Sequence, residues 1–288
     1  MSGLFEALAA AARAARATCL PHLRPALATA PGASALITGA SSGIGAAYAR
    51  RLARRGAPLI LVARREARLQ ALARELHPLP VEVVAADLSR EEEVARLEER
   101  IAAGPPLSML VSCAGFGTRG HFVEVAPETI LAQTRLHVLA PVRLIRAALP
   151  AMVRAGRGAV ITVSSLGAFF PAPHYASYNA SKAYLNALGE ALHAELRESG
   201  VQVQVVCAGL TRTEFLSTAE YAGFDYKGAP DWAWMRPEAL VRESLAALGN
   251  GRPLLIPGLH NRLFVRAMRA PGLGWLLGRA IDAAGIEY

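Results

Sequence analysis

Seven short apolar segments, near residues 34–38, 58–63, 81–86, 108–112, 158–163, 201–206 and 253–256, alternate with longer stretches of amphipathic helical periodicity. Strands separated by helices cannot close as tight hairpins. They pair side by side in parallel, each helix crossing one face of the sheet in the right-handed sense. The order therefore predicts an α/β fold with a doubly wound, mostly parallel sheet. A chain of 288 residues, 53% of them apolar, can bury one large core, so a single main domain over 31–258 is expected. Residues 1–30, rich in alanine and arginine, read as a helical N-terminal extension, and 259–288 as an amphipathic C-terminal tail.

The first strand, Ala35-Leu36-Ile37, runs into Thr38-Gly39-Ala40-Ser41-Ser42-Gly43-Ile44-Gly45, which opens a helix extending to about Gly56. Glycines at 39, 43 and 45 allow a tight turn and the close approach of a dinucleotide pyrophosphate to backbone amides at a helix start. A glycine triplet gains meaning from the strand before it and the helix after it. Gly39-Ala40-Ser41-Ser42-Gly43 also matches the G-x-S-x-G elbow of serine hydrolases, but that elbow normally follows several strands, and here only one precedes it. The turn is read as a Rossmann-like cofactor site.

Further along, Tyr178 and Lys182 stand four residues apart within a helical pattern, and Ser165 lies thirteen residues before Tyr178 near the end of an apolar strand. Four residues is just over one helical turn, so phenol and ammonium share a face. A tyrosine with a pKa of about 10 is a poor acid or base at neutral pH. A cation roughly 5 Å away favours phenolate by about 3 kcal/mol at an effective dielectric near 20, which predicts a lowered phenol pKa.

Taken with the glycine turn, Ser165, Tyr178 and Lys182 in this spacing resemble the short-chain dehydrogenase/reductase superfamily of the classical type, over about Ser34 to Pro257. The resemblance implies that Ser165 hydrogen-bonds a substrate carbonyl, Tyr178 moves the proton and Lys182 holds the cofactor ribose. It places the cofactor against Gly39, Ser41, Ser42, Gly43, Ile44 and Gly45. It also places Asp87 and Leu88 at the adenine, Ala114 and Gly115 along the cofactor, and Gly209, Thr211 and Thr213 at the nicotinamide half. Without the resemblance, Asp87 is simply a helix cap. After the second strand Ala63 stands where an NAD-preferring site carries an acid, and Arg64 follows it, which favours NADP (NADPH) over NAD.

Several positions depart from the family pattern. Ser112-Cys113 replaces the usual Asn-Asn before Ala-Gly, Ala208 replaces a proline, and His137 stands where the family's fourth catalytic member is an asparagine. A neutral histidine both donates and accepts, so His137 either preserves a water relay to the lysine or serves packing. Pro141 should kink its helix.

The reading that follows is NADP(H)-dependent interconversion of a hydrophobic ketone or aldehyde and an alcohol. The alternative is a catalytically weakened dinucleotide-binding sensor or scaffold of the same fold. Substrate choice is expected from about 212–236, which carries Phe215, Tyr221, Phe224, Tyr226, Trp232 and Trp234 as a candidate lid. Tyr175, with no lysine four residues on, is read as packing or pocket wall.

The net charge of +8 comes almost wholly from arginine, Lys182 and Lys227 being the only lysines. The arginines are spread over many helices without an aromatic-basic cluster, which argues against nucleic-acid binding. Cys19, Cys113 and Cys207 are too few and too scattered for a disulfide framework, and imply a reducing, cytoplasmic setting. C-x-x-C and H-E-x-x-H spacings are absent, so no metal is expected. No run of eighteen apolar residues suggests a membrane span. Leu259, Leu263, Phe264, Ala267 and Met268 form an apolar face flanked by Arg262, Arg266 and Arg269. That pattern suits another subunit, in a homo-oligomeric dimer or tetramer, or peripheral contact with a membrane surface.

Overall fold

The computed structural model describes residues 33–170, 172–217 and 229–270. The proposed N-terminal extension, Cys19, Tyr221, Phe224, Tyr226, Lys227 and the tail beyond Ala270 lie outside the described residues.

Seven strands form one sheet: β1 Ala35–Thr38, β2 Leu59–Ala63, β3 Val81–Ala85, β4 Met109–Ser112, β5 Gly158–Ser165, β6 Val201–Ala208 and β7 Leu254–Leu255. Their spatial order is β3-β2-β1-β4-β5-β6-β7, and every neighbouring pair is parallel. The chain thus winds outward from β1 in one direction and from β4 in the other, and the reversal falls between those two strands. The crevice of a doubly wound sheet opens there, beyond the carboxyl ends of the strands.

The helices are α1 Gly43–Ala53, α2 Glu66–Glu75, α3 Glu91–Ala103, α4 Pro127–Thr134, α5 Ala140–Arg154, α6 Ala176–Glu195, α7 Pro237–Ala247 and α8 Leu259–Met268. Both sheet faces are covered, which explains why the central strands read as continuous apolar runs instead of alternating ones. Ile37, Leu61, Val111 and Ile161 face one core layer with Tyr48 and Leu52 of α1 and Leu240 and Leu245 of α7. Leu36, Val62, Leu110 and Val160 face the other, with Leu97 and Ile101 of α3 and Leu144 and Met152 of α5. Each such side chain removed from water contributes roughly 1.5–3 kcal/mol. One buried polar knot crosses the first layer: the Tyr48 hydroxyl donates to Ser244 Oγ at 2.5 Å, and Ser244 Oγ donates to Gln204 Oε1 at 2.6 Å. It ties α1, α7 and β6 together, and Gln204 Nε2 also donates to the Ser244 carbonyl at 3.1 Å, so both ends of this buried amide are paired.

Helix α4 continues through a π-helical turn, Arg135–Leu139, into α5. Residue 141 is proline and lacks the N–H that would pair the His137 carbonyl in a regular helix. The Ala140 N–H reaches back five residues to the Arg135 carbonyl, so the expected kink takes the form of a widened turn. The whole run Pro127–Arg154 is 28 residues with a mean hydropathy of 1.4 in its most apolar window, long and apolar enough to cross a membrane. In this fold it is a core helix, with Leu144, Ile145, Ala148 and Met152 buried against the sheet and α3. On α8, Leu259 and Leu263 are exposed, while Phe264 meets Phe170 edge-on at 5.6 Å.

Candidate active site

The glycine turn sits at the carboxyl end of β1. Gly39 has φ +69°, and a Cβ there would come within 2.9 Å of the Ala114 backbone, so this turn and the loop leaving β4 touch through glycine. A Cβ on Gly45 would fall 2.3 Å from the Gly39 carbonyl oxygen. Helix α1 starts at Gly43 after Ser42, whose side chain makes no cap bond, and its first turn holds no acidic residue. The Gly45 N–H reaches the Cys113 thiol, and the N–H groups at the very start of α1, with the positive end of its dipole, face the turn as a dinucleotide pyrophosphate requires. Thr213, leaving β6, closes over this turn: its Cγ2 lies 2.9 Å from where a Gly43 Cβ would be. The residues present fit a dinucleotide.

At the other end of the crevice stand Ser165, Tyr178 and Lys182. Ser165 ends β5, and Tyr178 and Lys182 share one face of α6. Lys182 is 6% exposed, its ammonium lies 5.7 Å from the Tyr178 ring centre, and it donates to the Val163 carbonyl at 3.1 Å. Burial pulls its pKa down to about 8, against the acidic influence of Cys113 and Cys207. Burial also pushes the Tyr178 phenol up to about 12, although a hydrogen bond with Ser165 draws it the other way. The lowered phenol pKa expected from the lysine is thus reversed in the chain alone. Loss of hydration outweighs the Ser165 hydrogen bond, and the Lys182 ammonium is bonded to a backbone carbonyl.

His137 is 1% exposed on the inner side of the π-helical turn. Its Nε2 accepts from the Phe116 N–H at 3.1 Å, its Nδ1 lies 3.0 Å from Ser181 Oγ, and its ring meets Tyr178 edge-on at 5.7 Å. Burial, with the Lys182 charge adding to it, lowers its pKa well below the ordinary imidazole value. Phe215, first of the proposed lid aromatics, lies 6.0 Å from the Tyr178 ring, whereas Trp232 is 70% exposed and Trp234 stacks near Arg212 at 5.5 Å. Tyr175 is buried at the start of α6.

The nucleotide end contains groups that sequence reasoning passed over. Arg64 is exposed, while its neighbour Arg65 folds back over the glycine turn. Arg65 Nη2 donates to Ser41 Oγ at 3.0 Å and Ser42 Oγ at 2.9 Å, and its Nη1 pairs with Glu214 at 2.9 Å. Arg68, one turn into α2, pairs with the same carboxylate at 2.5 Å, and the two cations hold the Glu214 pKa below the carboxylate range. Arg65 is the residue just before α2, and the turn out of β2 decides which of two adjacent arginines faces the serines.

Thr38 was also missed. Its Oγ1 accepts the Cys113 and Ala114 N–H groups at 3.0 and 3.1 Å, so a hydroxyl from β1 braces the sheet where Ser112-Cys113 supplies no amide side chain. Cys113 and Cys207 are free thiols, both pushed up to about 12 by burial.

The remaining expected positions line the same strand ends. The Asp87 carboxylate accepts from the Ser89 N–H and hydroxyl at 3.0 and 2.7 Å, a local cap, and Leu88 is buried in the core layer beneath. Ala114 and Gly115 border the crevice, and a Gly115 Cβ would lie 2.8 Å from His137 Nε2. Ile44 is partly buried in α1, and Thr211 donates to the Gly209 carbonyl at 2.9 Å. Gly209 admits Asn261 of α8, whose amide would be 2.6 Å from an added Cβ.

Comparison with known proteins agrees with this arrangement. The family model described as short chain dehydrogenase matches residues 33–221. A short-chain dehydrogenase from Sphingobium yanoikuyae, solved in complex with NADPH, is 36% identical, superposes with a TM-score of 0.75, and is matched over 85% of this chain and 95% of its own. The very-long-chain 3-oxoacyl-CoA reductase of Anas platyrhynchos is 29% identical, over 78% of this chain and 72% of that protein. The inactive hydroxysteroid dehydrogenase-like protein 1 of Rattus norvegicus is 30% identical, over 90% of this chain and 79% of its own length. Parallel sheet, glycine turn and family match converge on one conclusion: this chain belongs to the short-chain dehydrogenase family.

Proposed function

We propose that the chain is an NADP(H)-dependent oxidoreductase that interconverts a hydrophobic ketone or aldehyde and the corresponding alcohol. The observation that carries this reading is that Ser165, ending β5 at the carboxyl edge of the sheet where the glycine turn also lies, hydrogen-bonds the Tyr178 phenol, with Lys182 on the same face of α6. A bound nicotinamide cofactor supplies or accepts the hydride. The protein's own work is to orient the carbonyl, supply the proton and exclude water. The Ser165 hydroxyl hydrogen-bonds the carbonyl oxygen, and the Tyr178 phenol passes its proton to that oxygen as negative charge develops there. A phenol held near 12 remains protonated at neutral pH, which suits Tyr178 to donating in the direction of carbonyl reduction. Lys182, held near 8, is largely cationic at pH 7 and available to a ribose hydroxyl and to the phenolate that forms.

The NADP preference rests on Arg65, with Arg68 beside it and Ser41 and Ser42 beneath, a set of donors matched to a 2′-phosphate. The NADPH complex of the Sphingobium yanoikuyae relative supports it. The aromatic Phe215 beside Tyr178 and the 3-oxoacyl-CoA reductase relative support a hydrophobic substrate. The test is NADPH oxidation across a panel of hydrophobic ketones and aldehydes. Turnover with some of them is expected. NADPH binding with no oxidation by any would favour the second reading, a dinucleotide-binding sensor or scaffold, for which the relative named inactive is the supporting observation.

A further inference from the structure

We propose that His137 is a positioning residue: a neutral imidazole, protonated on Nδ1, that clamps the loop leaving β4 to the helix carrying Tyr178. The assignment follows from counting donors and acceptors. A backbone N–H can only donate, so the Nε2 that lies 3.1 Å from the Phe116 nitrogen carries no proton. The single proton of a neutral ring is then on Nδ1, facing Ser181 Oγ at 3.0 Å. Ser181 is free to accept it, because its own hydroxyl donates to the Tyr178 carbonyl at 2.7 Å. Phe116, His137, Ser181 and the Tyr178 carbonyl form one continuous chain of hydrogen bonds across the crevice wall.

Two further features make the clamp possible. The widened turn created by Pro141 carries the ring inward between the β4 loop and α6, and Gly115 leaves room for it where any Cβ would be 2.8 Å from Nε2. The titratable groups facing the ring are Lys182 and Tyr178, both on α6, and neither is an anion at neutral pH. Burial and the Lys182 charge outweigh the upward pull of the Phe116 backbone contact, and protonating Nε2 would break its bond from the Phe116 N–H. With both nitrogens engaged, the ring has no site left to hold a water for Lys182, whose ammonium is instead bonded to Val163. His137 therefore acts through the placement of Tyr178 and not as a proton carrier. The kinetic consequence rests on the proposed role of Tyr178; the tautomer does not.

The test uses the full chain labelled with ¹⁵N-imidazole histidine. One of the seven histidines, identified by its loss in His137→Asn or His137→Gln, is expected to show a protonated Nδ1 and an unprotonated Nε2, unchanged from pH 8 to about pH 5. An Nε2-protonated ring, or a midpoint near the ordinary value of about 6.5, would overturn the assignment. Kinetically, His137→Asn is too short to reach Phe116 while bonded to Ser181, so kcat should fall about tenfold at unchanged carbonyl KM and unchanged NADPH affinity. His137→Gln, long enough to accept from Phe116, should recover part of it. Undiminished kcat in His137→Asn would overturn the positioning role. If the wild-type chain oxidises no NADPH, the proposed activity fails and the spectrum alone decides the clamp.

Discussion

The two ends of the crevice solve different electrostatic problems. At the nucleotide end, Arg65, Arg68 and Glu214 keep side-chain exposures of 45–50%, so charges there are screened by water and cheap to rearrange. At the reactive end, Lys182 and His137 are almost wholly buried, and the pKa values of Lys182, His137, Tyr178 and Cys113 are all displaced by loss of hydration. The two ion pairs of the first region share the Glu214 carboxylate and are individually weak. Hydrogen bonds in the second are buried, and they fix where protons sit on His137, Ser181 and Lys182. Affinity and cofactor choice should therefore respond in small steps to changes at one end, and turnover in large steps to changes at the other.

The largest effect expected from that contrast is in Tyr178→Phe, which should lower kcat for carbonyl reduction by about 10³-fold while NADPH affinity in a fluorescence titration stays within about twofold. A similar loss of cofactor binding would erase the division between the ends. Next comes pH. Because burial holds the free-enzyme pKa of Lys182 near 8, kcat/KM for reduction should fall as pH rises through about 8, as the cation beside Tyr178 is lost. A profile flat to pH 9.5 would show that the lysine charge is not used. Thr38→Val deprives the Cys113 and Ala114 amides of their shared acceptor and should cost about 2 kcal/mol in denaturant unfolding. Arg65→Ala should weaken NADPH about tenfold with little change for NADH, whereas Arg64→Ala should do neither. Smallest of all, Glu214→Gln should tighten NADPH about threefold, because the exposed carboxylate now pairs with the cations that a phosphate would use.

The same contrast separates what could be read in the sequence from what could not. The alternation of strands and helices, the turn at Gly39–Gly45 and the Tyr178–Lys182 spacing depend on local periodicity, and the doubly wound parallel sheet and the shared helix face follow from it. Which of Arg64 and Arg65 bends back onto Ser41 depends on the backbone just past β2, where no repeat holds. The direction of the Tyr178 shift was not legible either, since four-residue spacing gives the distance to the lysine but not how much water the fold removes from both. Pro141 did signal a disturbed helix. That the disturbance is a π turn aiming His137 at Phe116 and Ser181 requires the packed partners.

The most direct test of the account is a crystal structure of the chain with NADPH. The account predicts the 2′-phosphate against Arg65 and Ser41, and the nicotinamide beside Tyr178 with Lys182 turned from the Val163 carbonyl to the ribose. A cofactor bound with its nicotinamide away from Tyr178, and Lys182 still on Val163, would contradict it.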